Sequence, residues 1–124
     1  MSLTVVLDHT ALTALYRADE FFTGVYIEAS RGTGRVLIPS LSILAAEREL
    51  TGCGTHAAAL RFAEQVPFTS VHALDTMGWP DIQWPVAHPA SIAWQAAQSG
   101  EPVTVLSCAP QLYAGTGIAP LDPT

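Results

Sequence analysis

VVLDHTALTALY, residues 5–16, is the stretch on which the fold turns. Val5, Val6 and Leu7 make the apolar, β-branched run of a buried strand, expected over Thr4–Leu7. Asp8 ends the run. From Thr10 onward Leu12, Leu15 and Tyr16 recur at spacings of three and four, the signature of a helix reaching about Ala18. A lone carboxylate thus stands at the carboxyl end of a first strand, where open α/β sheets form their sites. On its own, such a residue caps the following helix. With converging partners it would hold Mg²⁺ or Mn²⁺ and support phosphodiester hydrolysis.

Outward from this stretch, strands and helices alternate. A helix is expected near Asp19–Ser30, and Arg31-Gly-Thr-Gly is a turn. A second strand spans Arg35–Ile38 and closes at Pro39. Ser40 opens a helix through Leu50, stopped by Gly52 and Gly54, and Thr55 is expected to cap the next one. Pro67–Leu74 reads as a third strand, with Asp75 capping a short helical turn. Gly78–Pro85, with two prolines and two tryptophans, reads as irregular. A helix over Ala87–Ser99, a strand over Pro102–Ser107, a helical turn over Pro110–Ala114 and a last short strand over Gly117–Leu121 complete the chain. This alternation predicts an α/β fold with a mostly parallel sheet and helices on both faces.

At 124 residues one domain is expected, spanning 1–124, with a real hydrophobic core. Apolar residues make up 49% and charged residues 13%, an apolar balance that predicts surface covered by a partner or a second copy. No apolar run is long enough to cross a bilayer. The opening residues have no basic n-region and no cleavage site, so no secretory leader is expected. Cys53 and Cys108 lack both metal-type spacing and secreted-scaffold density, and read as reduced thiols of a cytoplasmic protein. Lysine is absent. The five arginines all lie at or before Arg61, and residues 62–124 carry five acids and no Lys or Arg, a formal charge of −5. Nucleic-acid affinity rests on cations against phosphates, so tight binding of a long nucleic acid is disfavoured.

With its elements in this order, the chain resembles the PIN domain, the fold of many small metal-dependent ribonucleases that include the toxins of bacterial toxin–antitoxin pairs. VVLDHTALTALY is similar to the family's opening strand, Asp and helix. VLIPSLSILAAERE (36–49) looks like its second strand and acid-bearing helix. VAHPASIAWQAAQSGEPVTVLSCAPQLYAGTGIAPL (86–121) looks like its closing helix, strand, T-A-D-P turn and final strand. The resemblance implies a three-layer α/β/α sandwich around a central sheet of four or five strands. It also implies three or four acids around one or two divalent ions.

Carried across one at a time, those acids thin out. The first falls on Asp8. Of the Ser/Thr pair that follows, only Thr10 keeps a hydroxyl, because His9 takes the other place. The second falls on Ala45. Glu47 lies about 200° around the helix from it, while Glu49 shares its face one turn on. The third falls on Val86, before Ala87-His88. The fourth falls on Ala109, within Ser107-Cys108-Ala109-Pro110. The resemblance is therefore to a degenerate member.

On this reading the chain is expected to lack nuclease activity and to act through protein contacts, as a homodimer or with a small cognate protein. It is otherwise a ligand-binding remnant, its old cleft lined by Asp8, His9, Thr10, His88 and Ser107. The competing expectation is a Mg²⁺- or Mn²⁺-dependent endoribonuclease of the toxin type. Asp8 would anchor the metal there, with Glu47 or Glu49 assisting and Asp81 brought in from the proline-rich loop. Asp8 with His9 or His88 would suit Zn²⁺. The simpler roles are an N-cap for Asp8, solvated helix charges for Glu47 and Glu49, and ordinary hydrogen bonds for the histidines. Gly32 and Gly34 make no phosphate loop, and no Gly-x-Ser-x-Gly elbow is present.

Overall fold

A computed structural model describes residues 3–124. Its elements follow the order β1 (Leu3–Leu7), α1 (His9–Tyr16), α2 (Glu20–Ser30), β2 (Gly34–Pro39), α3 (Ser40–Glu49), α4 (Cys53–Ala58), β3 (Glu64–Val66), α5 (Ser70–Met77), α6 (Trp84–Gln98), β4 (Val103–Leu106) and a 3-10 turn at Pro110–Tyr113. The four strands form one all-parallel sheet in the order β3-β2-β1-β4. The chain therefore builds outward from β1 to β3, then returns to pair β4 on the other side of β1. The gap between β1 and β4 is the sheet's switch point, the place where ligands enter open α/β folds.

The alternation in β1 splits the core into two layers. Val5 and Leu7 point to one face, against Leu12, Leu15, Phe22, Cys53 and Ala57 of α1, α2 and α4. Val6 points to the other, against Val86, Ala90, Ile92 and Ala93 of α6, with Val105 and Tyr113. Helices thus cover both faces, as a three-layer α/β/α sandwich requires. Buried on both sides, β1 reads as an unbroken apolar run. Among the described residues, no helix is long and apolar enough to cross a membrane.

Five expectations need correction. The third strand lies at Glu64–Val66, and most of the stretch expected as strand belongs to α5. Val71 and Leu74 are spaced by three residues, and Thr69 and His72 form a reciprocal cap that starts the helix. Asp75 is no cap: it sits near the end of α5 and accepts hydrogen bonds from Ser91 Oγ (2.7 Å) and Gln95 Nε2 (2.8 Å) of α6. α4 begins at Cys53, not after Thr55, with Gly52 as its N-cap. α6 starts at Trp84, three residues early, because Pro85 suits the first turn of a helix. The last strand shrinks to a single parallel bridge between Leu106 and Leu121.

Gly52 takes a left-handed conformation (φ 94°), and a Cβ there would lie 2.8 Å from the Tyr16 hydroxyl. Gly52→Ala is expected to cost about 1–2 kcal/mol from the left-handed backbone alone. A lowered urea midpoint at unchanged m-value would register it.

Candidate functional site

β1 delivers Asp8 to the switch point, and α1 starts immediately after it. Asp8 is fully buried. Its Oδ1 accepts from the Ala11 amide (3.0 Å) and from Thr10 Oγ1 (2.6 Å). Its Oδ2 accepts from the Tyr113 hydroxyl at 2.8 Å. Asp8 is therefore the N-cap of α1, and it is also the acceptor for a phenol 105 residues away.

The end of β4 closes over this group. The Cys108 amide donates to Thr10 Oγ1 (2.9 Å), and Ser107 Oγ lies 3.3 Å from the same oxygen. Ser107 Oγ also accepts from the Ala109 amide (3.0 Å), and Ser107 is fully buried. Thr10 thus ties Asp8 to the β4 turn. Burial, then the neighbouring Asp8, push the Tyr113 phenol far above its ordinary range, so it serves only as a donor. Burial, then Asp8, also raise the Cys108 thiol, which stays protonated and poorly nucleophilic near neutral pH.

Beside this closed network lies an open cleft of about 490 Å³, lined by His9, Thr10, Thr13, Arg17, Asp19, Glu49 and Cys108. His9 is buried, and its Nδ1 has no hydrogen-bond partner. Asp19 caps α2 through the Phe22 amide (3.2 Å).

Of the residues singled out in the sequence, Asp8, Thr10 and Ser107 come together, and His9 lines the adjoining cleft. Glu47 does not join them. Its two oxygens accept the Gly52 and Gly54 amides (2.9 Å each), which hold its carboxyl below its ordinary value and spend it on the start of α4. Glu49 reaches the cleft instead. His88 is also fully buried, but it belongs to a different cluster: its ring meets Phe68 and His72, and its Nδ1 accepts the Leu41 amide. Val86 packs into the apolar layer of α6, beside Val6 and Tyr113. Asp81 is exposed in the loop before α6, near Ala114 and Gly115.

Tyr113 is the residue that sequence reasoning missed. The one signal was an aromatic hydroxyl four residues after Ala109, in the turn that follows β4. Its partner, however, could not be read from spacing.

These residues do not fit a resident divalent ion. Three donors already engage Asp8, Val86 and Ala109 offer no side-chain ligand, and Glu47 is bound to amides. Among the described residues, no group of three or more His, Cys, Asp or Glu converges as a metal site would need. No protein-family model matches the chain, and no curated protein matches it either.

Removing the Tyr113 hydroxyl leaves Asp8 Oδ2 buried without its donor. Tyr113→Phe is expected to lose about 1–3 kcal/mol, the cost of an unsatisfied buried acceptor. Equilibrium urea denaturation measures it, and a variant as stable as the wild type would show that the hydroxyl is not needed there.

Proposed function

We propose that this chain is a degenerate PIN-like domain without nuclease activity, which binds rather than cuts. The observation that carries this reading is the Tyr113 hydroxyl on Asp8 Oδ2 (2.8 Å). In a metal-dependent nuclease the first carboxylate must turn free lone pairs toward a cation and, through it, toward water. Here those lone pairs are met by Thr10, Ala11 and Tyr113, in a position closed to solvent. A cation would have to displace a buried phenol from Asp8.

The surface left for function is the cleft beside α1, with Arg17, Asp19 and Glu49 at its wall, together with exposed apolar side chains that suit protein contact. Val71, Leu74 and Met77, three residues apart along α5, are 48%, 67% and 75% exposed, a run of neighbouring apolar side chains of the kind that marks a contact surface. A protein partner, or a second copy, is the occupant that this chemistry favours. A nucleic acid is disfavoured, because Arg31 and Arg35 are paired with Glu28 and Glu64, and nothing basic but histidine follows Arg61. Two free cysteines accord with a reducing, cytoplasmic setting.

The decisive comparison is RNA cleavage by the wild type and Asp8→Asn with Mg²⁺ or Mn²⁺ supplied. Neither protein is expected to cleave above the protein-free blank, and Mn²⁺ titration calorimetry is expected to show no heat that depends on Asp8. Cleavage by the wild type that the substitution abolishes would overturn this reading in favour of the toxin-type endoribonuclease.

A further inference from the structure

Away from Asp8, two imidazoles lie against one another at the junction of three helices. The rings of His72 (α5) and His88 (α6) have centroids 4.6 Å apart. Phe68 meets His88 edge-on at 5.1 Å and His72 at 5.7 Å. His88 is fully buried and His72 nearly so. Each ring uses Nδ1 as an acceptor for a main-chain amide at the start of a helix. His72 takes the Thr69 amide at 3.0 Å, and His88 takes the Leu41 amide at 3.3 Å. That bonding fixes both rings as the neutral tautomer with hydrogen on Nε2.

From this geometry we infer that the two histidines form an acid-operated clasp, which holds α5 to α6 and α3 and lets the segment Pro67–Gly78 open as they take up protons. The chemistry follows from the acceptors. A proton added at Nδ1 turns an acceptor toward an existing N–H donor, so the hydrogen bond becomes a clash of two donors. The same proton places a positive charge beside a second ring in apolar surroundings. Opening withdraws Phe68 and His72 from His88, so that its ring is free to turn from the Leu41 amide toward water, and it exposes the His72 cap to solvent; protons therefore favour the open form.

The surrounding charges support this direction. For His88, burial and then the His72 ring oppose protonation, the Pro67 carbonyl favours it, and together they leave its pKa at about 4. For His72, burial lowers the value and Asp75 on the same helix opposes. Asp75 is itself engaged by Ser91 and Gln95. His72 also borders a cleft lined by Arg35, Glu64 and Glu101, of which Arg35 and Glu64 neutralise one another in a two-pronged pair. From α3 the contact to His88 is an uncharged amide.

α5 is suited to moving alone. It lies outside the sheet, its main packing partner is α6, and its outer side carries the exposed Val71, Leu74 and Met77. Its start is tied down by the packing of Phe68 and His72 on the His88 ring and by the Phe68 amide, which donates to Ser40 Oγ at 3.2 Å.

A ring that is free in the open form titrates near 6.5, and the closed His88 near 4. The closed form is therefore fully favoured above 6.5, loses ground as the pH falls through that window, and loses no more below about 4. His88 alone multiplies the opening constant about 30-fold between pH 7.5 and pH 5.0.

The test is amide hydrogen exchange on the whole chain at those two pH values, corrected for intrinsic rates, with ¹⁵N spectra of the imidazoles recorded alongside. Opening of residues 67–78 is expected to rise about 30-fold or more while β1 and α1 keep their protection. The spectra are expected to show both rings with hydrogen on Nε2 at pH 7.5. The double substitution His72→Asn and His88→Asn, which keeps a side-chain acceptor near each Nδ1, is expected to make the opening independent of pH. Equal loss of protection in β1 and α5 would overturn the clasp in favour of general acid unfolding. So would a protonated ring in a segment that stays closed, a reading the wild type gives even if the variant does not fold.

Discussion

A carboxyl group with no access to water must find its hydrogen bonds inside the protein, and the rest of the structure is arranged around meeting that demand at Asp8. Two of its donors are local, the Ala11 amide and the Thr10 hydroxyl in the first turn of α1. The third, Tyr113, comes from the turn after β4 at the far end of the chain. Leaving such a group unpaired would cost several kcal/mol, a large share of the roughly 5–15 kcal/mol that holds a domain together. The consequence is structural as well as energetic. β1, the start of α1, the end of β4 and the 3-10 turn are fixed relative to one another by one side chain. Thr10 extends the bond to Cys108 and approaches Ser107, so the switch point of the sheet is closed by hydroxyls and amides.

That closure bears directly on chemistry. Ala109 follows β4 and Val86 precedes Ala87-His88, and neither side chain carries a charge. With no side-chain charge at those two positions, neither adds a like-charge repulsion to Asp8 that a cation would have to relieve. A phenol can then approach Asp8, and Val86 can pack against the ring that carries it. Val86, Ala109 and Tyr113 are thus a consistent set: apolar packing and a neutral donor accompany the buried carboxylate.

The fold was legible in the sequence to the extent that period and punctuation were clean. β1, α1, α2, β2 and α3 followed from apolar runs broken by Asp8, the Arg31 turn and Pro39. The stretch after Pro67 misled, because Phe68, Val71 and Leu74 are apolar at a spacing of three yet interrupted often enough to look like imperfect alternation. What settles it is the Thr69–His72 cap, an interaction in which a histidine stands where Glu or Gln is usual. At the site, Asp8 and Thr10 were readable because their bonds are local. Tyr113 was not, since its partner is 105 residues away and only the pairing of β1 with β4 brings the two together. Glu47 is the complementary case: its carboxyl reads as free on a helix, and the amides that capture it belong to the start of the next helix, which lies three residues before the one expected.

Asp8 and the histidine pair meet the same requirement with opposite chemistry. Both lie along the carboxyl edge of the sheet, Asp8 after β1 and the imidazoles over the starts of the helices that follow β2 and β3. In each case a buried side chain accepts from an amide in the first turn of a helix. The Asp8 carboxyl accepts through both of its oxygens, from Thr10, Ala11 and Tyr113. Protonating an imidazole adds charge and converts its acceptor into a donor. On the clasp inferred above, acid therefore bears on the start of α5, which shares one edge of the sheet with Asp8. The difference lies in the acceptor chosen at each helix start, and it divides the edge into a part that is locked and a part that can yield.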